Sequence, residues 1–307
     1  RSILHFDLGP REELERAAEA AYRAARRLDS FHQTKKTYQE LGDKLLAPVL
    51  DAFADSTKLV LVPSDGFYSL PFAALMVKGQ WAIDRWEITI ASSASSWLVA
   101  RKTDATGNGL LLACLGDYSG VDGRLTPLPG TDSEAEYLKG LFPRSLLLSG
   151  KEFVESAVKE ASAGKAAVHL ATHGEFDAQE PLLSSLDLSD HRVTAADIFG
   201  WELQADLAVL AACETAGYSK ENSYLGLTAA FQFAGARNLV ASYWPVSDAA
   251  TSLWMKSFYH GLAQGDSPSR AQRRAHLAVR EDYPHPFFWA AFALWGDGLH
   301  TASPYSF

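Results

Sequence analysis

Apolar residues recur at Leu14, Ala17, Ala18, Ala21, Tyr22, Ala25 and Leu28 with charged residues between them, and that spacing predicts an amphipathic helix over 11–30. The pattern then shortens. The run Leu59-Val60-Leu61-Val62-Pro63, followed by Ser64-Asp65-Gly66, predicts a buried strand and a turn. Residues 86–91 form a second strand by their β-branched content. Gly107-Asn108-Gly109 breaks the pattern and places a boundary there, dividing the chain into residues 1–106 and 107–307.

Beyond that boundary four apolar runs of strand length occupy 110–115, 146–148, 168–172 and 207–212. They lack polar alternation, as do strands covered on both faces in a parallel sheet. Thr131 with Glu134, and Ser149 with Glu152, have capping-box spacing, while Ser267-Pro268 reads as a cap and first-turn proline. Residues 238–243 predict a strand ended by Trp244-Pro245, and Ser247 caps a helix from 248 to about 262. The run 287–295 fits a strand or a helix equally well by periodicity. Alternating strands and helices specify an α/β fold with a mostly parallel sheet between helices.

Composition narrows the functions. Hydrophobic residues make up 47% and charged residues 21% of the 307, which fits a folded globular chain throughout. The net charge is -9 and the basic residues are scattered, so direct nucleic-acid contact is not expected. No apolar run reaches the ~20 residues of a membrane span, and the first residues lack a signal-peptide layout. With Cys114 and Cys213 as its only cysteines, the chain has no disulfide framework, and a reducing, cytoplasmic setting is expected. The first residue is Arg1 and not Met, which reads as a chain cut from something longer.

Two strings carry the candidate chemistry: Val168-His169-Leu170-Ala171-Thr172-His173-Gly174 and Leu207-Ala208-Val209-Leu210-Ala211-Ala212-Cys213-Glu214-Thr215. Each is an apolar strand that ends in a reactive residue. Ligands of open α/β sheets bind at the carboxyl ends of strands, so His173 and Cys213 face one cleft if the two strands are neighbours. An imidazole or a helix N-terminus is needed to hold a cysteine as thiolate near neutral pH. Gly174 has no side chain to block approach, so its N–H and that of Cys213 are candidate oxyanion donors. Either reactive residue taken alone is more often explained by packing than by catalysis. Zinc binding by His169, His173 and Cys213 lacks a fourth ligand at suitable spacing. Cys114 reads as core, and His285, before Pro286, as a loop or packing residue.

Thr172-His173-Gly174 together with Ala211-Ala212-Cys213-Glu214-Thr215 resembles the paired active-site motifs of the CHAT domain family, caspase-like cysteine peptidases of the clan of caspases, separases and gingipains. The resemblance extends through Leu61-Val62-Pro63, Leu70-Pro71-Phe72-Ala73-Ala74-Leu75, Leu128-Pro129-Gly130 with Glu134 and Glu136, Gly235-Ala236, Trp244-Pro245-Val246, and His285-Pro286 before Trp289-Ala290-Ala291-Phe292. It implies a Cys-His dyad, with His173 as general acid/base, Cys213 as nucleophile, and Gly174 and Cys213 as the oxyanion hole. It also implies that 287–295 is a strand and that residues 1–106 are a non-catalytic subdomain. Asp117, after the strand at 110–115, and Trp244 occupy places where such enzymes bind substrate. Asp117 is equally readable as a turn residue, and Trp244 as core. Implied partners are a protein substrate and a regulatory protein or attached repeat domain, with no metal or organic cofactor and no membrane. The role implied is signal-triggered proteolysis such as bacterial antiviral defence; the alternative is a silent or latent interaction module.

Overall fold

The computed structural model describes residues 3–102, 107–116, 127–211 and 226–299. An eight-stranded sheet forms its centre. The strands in chain order are β1 (Lys58–Leu61), β2 (Glu87–Ile90), β3 (Leu110–Cys114), β4 (Leu146–Ser149), β5 (Ala167–Ala171), β6 (Leu207–Leu210), β7 (Asn238–Ser242) and β8 (Phe292–Gly296). Across the sheet they lie in the order β1-β2-β8-β7-β6-β5-β3-β4. Every neighbouring pair described runs parallel except β7 with β8.

Every residue of β3, β5, β6, β7 and β8 is buried, which accounts for their mostly apolar sequences. β4 is the exception. It ends the sheet, pairs only with β3, and stays partly exposed at all four positions, so its apolar run is that of an edge strand. The expected boundary at 107 separates β1 and β2 from the other six strands. One sheet nonetheless runs across it, through the pairing of Trp295 with Ile90.

Eight helices of seven or more residues are described: α1 (Arg11–Arg26), α2 (Phe31–Leu45), α3 (Ala94–Lys102), α4 (Pro129–Leu141), α5 (Glu155–Ser162), α6 (Leu227–Phe233), α7 (Asp248–Ala263) and α8 (Pro268–Asp282). The periodicity over 11–30 ends early, at Arg26, because Leu28 adopts a positive φ of 56° and Ser30 then caps α2 by accepting from the Gln33 amide. α7 packs along α8 and α4. Trp86, Trp244, Trp254, Trp289 and Trp295 are fully enclosed, each burial contributing on the order of 3 kcal/mol.

Helix starts follow the predicted caps where a hydroxyl immediately precedes the helix. Ser247 accepts from the Ala250 amide, and Ser267 from that of Arg270. The other two capping boxes are not formed. α4 begins at Pro129, so Thr131 lies inside it and no side chain caps it. After Ser149 the chain makes one 3-10 turn, and α5 starts only at Glu155. The strand expected over 287–295 is likewise corrected. His285 caps a short helix, Pro286–Trp289, by accepting from the Phe287 amide, and β8 starts at Phe292.

Candidate active site

β5 and β6 are adjacent and parallel, with Leu170 opposite Leu210. The Ala211 amide continues the ladder by donating to the Leu170 carbonyl at 2.9 Å. Thr172 and His173 therefore leave the sheet beside the chain that leads to Cys213. Cys213 and Asp117 themselves lie outside the described residues.

His173 is half-buried and anchored through its backbone. Its carbonyl accepts from the Asp187 amide at 3.0 Å, and the preceding Thr172 Oγ1 donates to the Asp187 carbonyl. Gly174 and Glu175 then pair with the strand Ser185–Asp187, which pairs in turn with Arg192–Thr194. Arg192 ties this small sheet together, reaching Glu175 at 2.7 Å and Asp187 at 3.0 Å. The segment after β5 is thus a braced hairpin that fixes where His173 emerges.

A cleft with a volume of about 70 Å³ opens at this edge of the sheet, enough for a few water-sized groups. Ala171 and Thr172 line it from β5, Ala211 from β6, Ser242 and Trp244 from β7, and Phe292 from the start of β8. Gly130, Thr131 and Glu134 of α4 and Asp248, Thr251 and Ser252 of α7 close its other side. Both helices present their N-terminal turns, where backbone N–H groups carry partial positive charge. The carboxylates of Glu134 and Asp248 offset part of that field.

Glu134 is 5% exposed and His169 is fully enclosed. Glu134 Oε1 lies 2.8 Å from His169 Nε2, and Tyr259 Oη lies 2.9 Å from Nδ1. Both ring nitrogens of His169 are thereby engaged by neighbours in the core. The Thr131/Glu134 spacing gave no hint of this, because the carboxylate turns inward from the helix instead of capping it. Among the described residues no group of three His, Cys, Asp or Glu side chains is placed to hold a metal ion.

Cys114 ends β3 in the core, 2% exposed. Burial, with Glu134 and Asp132 nearby, pushes its thiol well above the ordinary range, so the thiolate needed for nucleophilic attack is suppressed. Trp244 is fully enclosed yet lines the cleft. Its indole N–H donates to the Phe287 carbonyl at 2.9 Å, so one ring serves both core and wall. His285 packs against the N-terminal helices, 2.9 Å from the Asp29 carbonyl.

The sequence profile of the CHAT domain matches residues 35–297. Tetratricopeptide repeat protein 28 of Homo sapiens is 26% identical over 92% of this chain, and its Mus musculus counterpart 26% over 89%. The chain spans only 14% of the length of these curated relatives. Among solved structures, the Arg-specific cysteine proteinase gingipain R superposes with a TM-score of 0.56 at 12% identity, covering 97% of this chain and 79% of that one. The separase of the Saccharomyces cerevisiae separase–securin complex gives 0.56 at 14% identity, covering 77% of this chain and 15% of that one. At such identities the likeness is one of fold.

Proposed function

The chain belongs to the CHAT domain family, and on that premise we propose that it is a cysteine endopeptidase whose nucleophile is Cys213 and whose proton carrier is His173. The observation that carries this reading is the parallel pairing of β5 with β6 beside the cleft. Ala171 and Ala211 leave that pairing as neighbours. Cys213 follows Ala211, and His173 follows Ala171, by two residues each, a reach of at most about 7 Å, and this supports assigning both to one site.

In the proposed reaction His173 takes the proton from the Cys213 thiol, and the thiolate adds to the carbonyl carbon of the scissile peptide bond. The oxyanion formed accepts from the backbone N–H groups of Gly174 and Cys213. His173 then protonates the leaving amine as the C–N bond breaks, giving a thioester. Water, deprotonated by His173, adds to the thioester and releases the carboxylic acid, restoring the thiol. No step requires a metal or an organic cofactor. Asp117 and Trp244 are assigned to substrate binding, and a reducing, cytoplasmic setting suits the thiol.

The biological role assigned is signal-triggered proteolysis, such as bacterial defence, under control of a regulatory protein or an attached repeat domain. The names of the tetratricopeptide relatives support the latter. The alternative is a silent or latent module that only binds a partner. Peptide-library hydrolysis by wild type, Cys213→Ala and His173→Ala separates the two. The peptidase reading expects both variants to lose hydrolysis while remaining folded, since dyad members act as a unit. Equal hydrolysis by wild type and Cys213→Ala sinks the mechanism.

A further inference from the structure

We infer that the N-terminal helical hairpin holds Trp244 in the wall of the cleft, and that Tyr22 is the positioning residue through which it does so. This rests on the peptidase reading of the cleft, and it adds a residue that precedes the CHAT match, which starts at residue 35.

Tyr22 is buried on α1. Its hydroxyl donates to the Tyr243 carbonyl at 3.0 Å, and its ring meets Trp244 edge-on, with centroids 5.6 Å apart and planes at 69°. Both contacts fall where β7 gives way to the cleft wall. Tyr22 thus fixes the peptide before Trp244 and one flank of the indole itself. Such an aromatic contact is directional, since the ring edge seeks the neighbouring face.

A second hold on Trp244, beside the neighbouring Tyr243 ring 5.9 Å away, also leads back to the hairpin. Its indole N–H is bound by the Phe287 carbonyl at 2.9 Å, in the short helix capped by His285. With Nδ1 of His285 accepting from the Phe287 amide at 3.1 Å, its Nε2–H points at the Asp29 carbonyl, 2.9 Å away, and at Thr34 Oγ1, 3.2 Å away. Asp29 sits in the connection between α1 and α2, and Thr34 in the first turn of α2. One element therefore grips the tryptophan from two sides, directly through Tyr22 and indirectly through His285 and Phe287. A shift of the hairpin against the sheet moves the cleft wall with it, without touching His173.

A positioning role predicts a change in substrate affinity with the chemistry preserved. The test compares wild type, Tyr22→Phe, Tyr22→Leu and, as a control for general destabilisation, Trp201→Phe, whose ring packs on Phe231 far along the chain from the hairpin. Each protein carries fluorinated tryptophan, and the Trp244 resonance is assigned by its loss in Trp244→Phe. Tyr22→Leu should raise KM for a peptide substrate roughly 5- to 10-fold, the scale of one lost aromatic contact. Its kcat and its rate of Cys213 alkylation should stay near wild type, and the Trp244 resonance should move. Tyr22→Phe, which keeps the ring, should fall between. Unchanged KM with an unmoved resonance in Tyr22→Leu overturns the inference, as does a KM change matched by Trp201→Phe. If wild type neither hydrolyses peptides nor alkylates at Cys213, the peptidase reading has failed, and the resonance alone decides whether Tyr22 positions Trp244.

Discussion

Lowering the pH should destabilise this chain through His276, a histidine of α8 sealed against α7 and the short helix before β8. The ring is fully buried. It contacts the Trp289 carbonyl through Nδ1 and the Gln272 amide at 3.0 Å through Nε2, with the Trp254 indole N–H 3.2 Å from Nδ1. The Trp254 and Gln272 N–H groups face the two ring nitrogens and the Trp289 carbonyl faces Nδ1, so a doubly protonated ring would meet two donors and a single acceptor. Burial pushes the pKa down from 6.5 to about 4, the Trp289 carbonyl opposing the shift and Arg280 assisting it. Between these values the unfolded chain binds a proton that the folded chain refuses, so stability is lost as the pH falls from about 6.5 to about 4. At 1.36 kcal/mol per unit the loss is about 3 kcal/mol. Denaturant unfolding of wild type and His276→Gln across that pH range isolates it from the other carboxylates and histidines. The variant should be weaker near neutrality yet lose about 3 kcal/mol less on acidification. Parallel stability curves for the two proteins would refute the reasoning.

Two further outcomes concern single residues. A Cβ added at Gly42 on α2 would stand 2.0 Å from the Met76 carbonyl oxygen, a backbone atom that cannot swing away; Gly42→Ala should cost about 3 kcal/mol and lower Tm by roughly 5–10 °C in a thermal melt. If Asp117 reads the side chain before the scissile bond, library profiling should show Arg above Lys, with a preference of roughly 10- to 150-fold over a neutral residue, and Asp117→Asn should lose most of that preference. A profile led by Leu, Met or Asp, or one unchanged in the variant, makes Asp117 a turn residue only.

The centre of the sheet was legible because burial on both faces leaves mostly apolar residues in a strand, with a few polar ones such as His169 and Asn238 that find partners inside. β3, β5, β6 and β7 fall within a residue or two of their predicted runs. The adjacency of β5 and β6 was a condition that sequence could only state, and the register of Leu170 with Leu210 supplies it. Capping was legible at Ser247 and Ser267, where one hydroxyl decides the helix start. At Thr131 it was not, because the same spacing accommodates a helix beginning two residues earlier and a Glu134 turned toward His169. The 287–295 run divided because Pro286 suits a first helical turn and His285 supplies its cap. Tyr22 gave no sign of its place near the cleft. It read as one more apolar position on a helix, and its carbonyl partner is 221 positions away, a contact that only the folded sheet creates.

The central claim, a nucleophilic thiol at Cys213 served by His173, is tested most directly by covalent capture. Cys114 serves as the internal control, because it is sealed in the core with its thiol held protonated. The folded protein is treated with a peptidyl electrophile at limiting concentration, and the modified residue is located by mass spectrometry in wild type and His173→Ala. The adduct is expected on Cys213 and not on Cys114, with labelling of the His173→Ala variant slowed by a factor of at least about 100, the lower range for loss of a positioned base. Labelling of Cys213 no faster than that of Cys114, or at the same rate with and without His173, would contradict it.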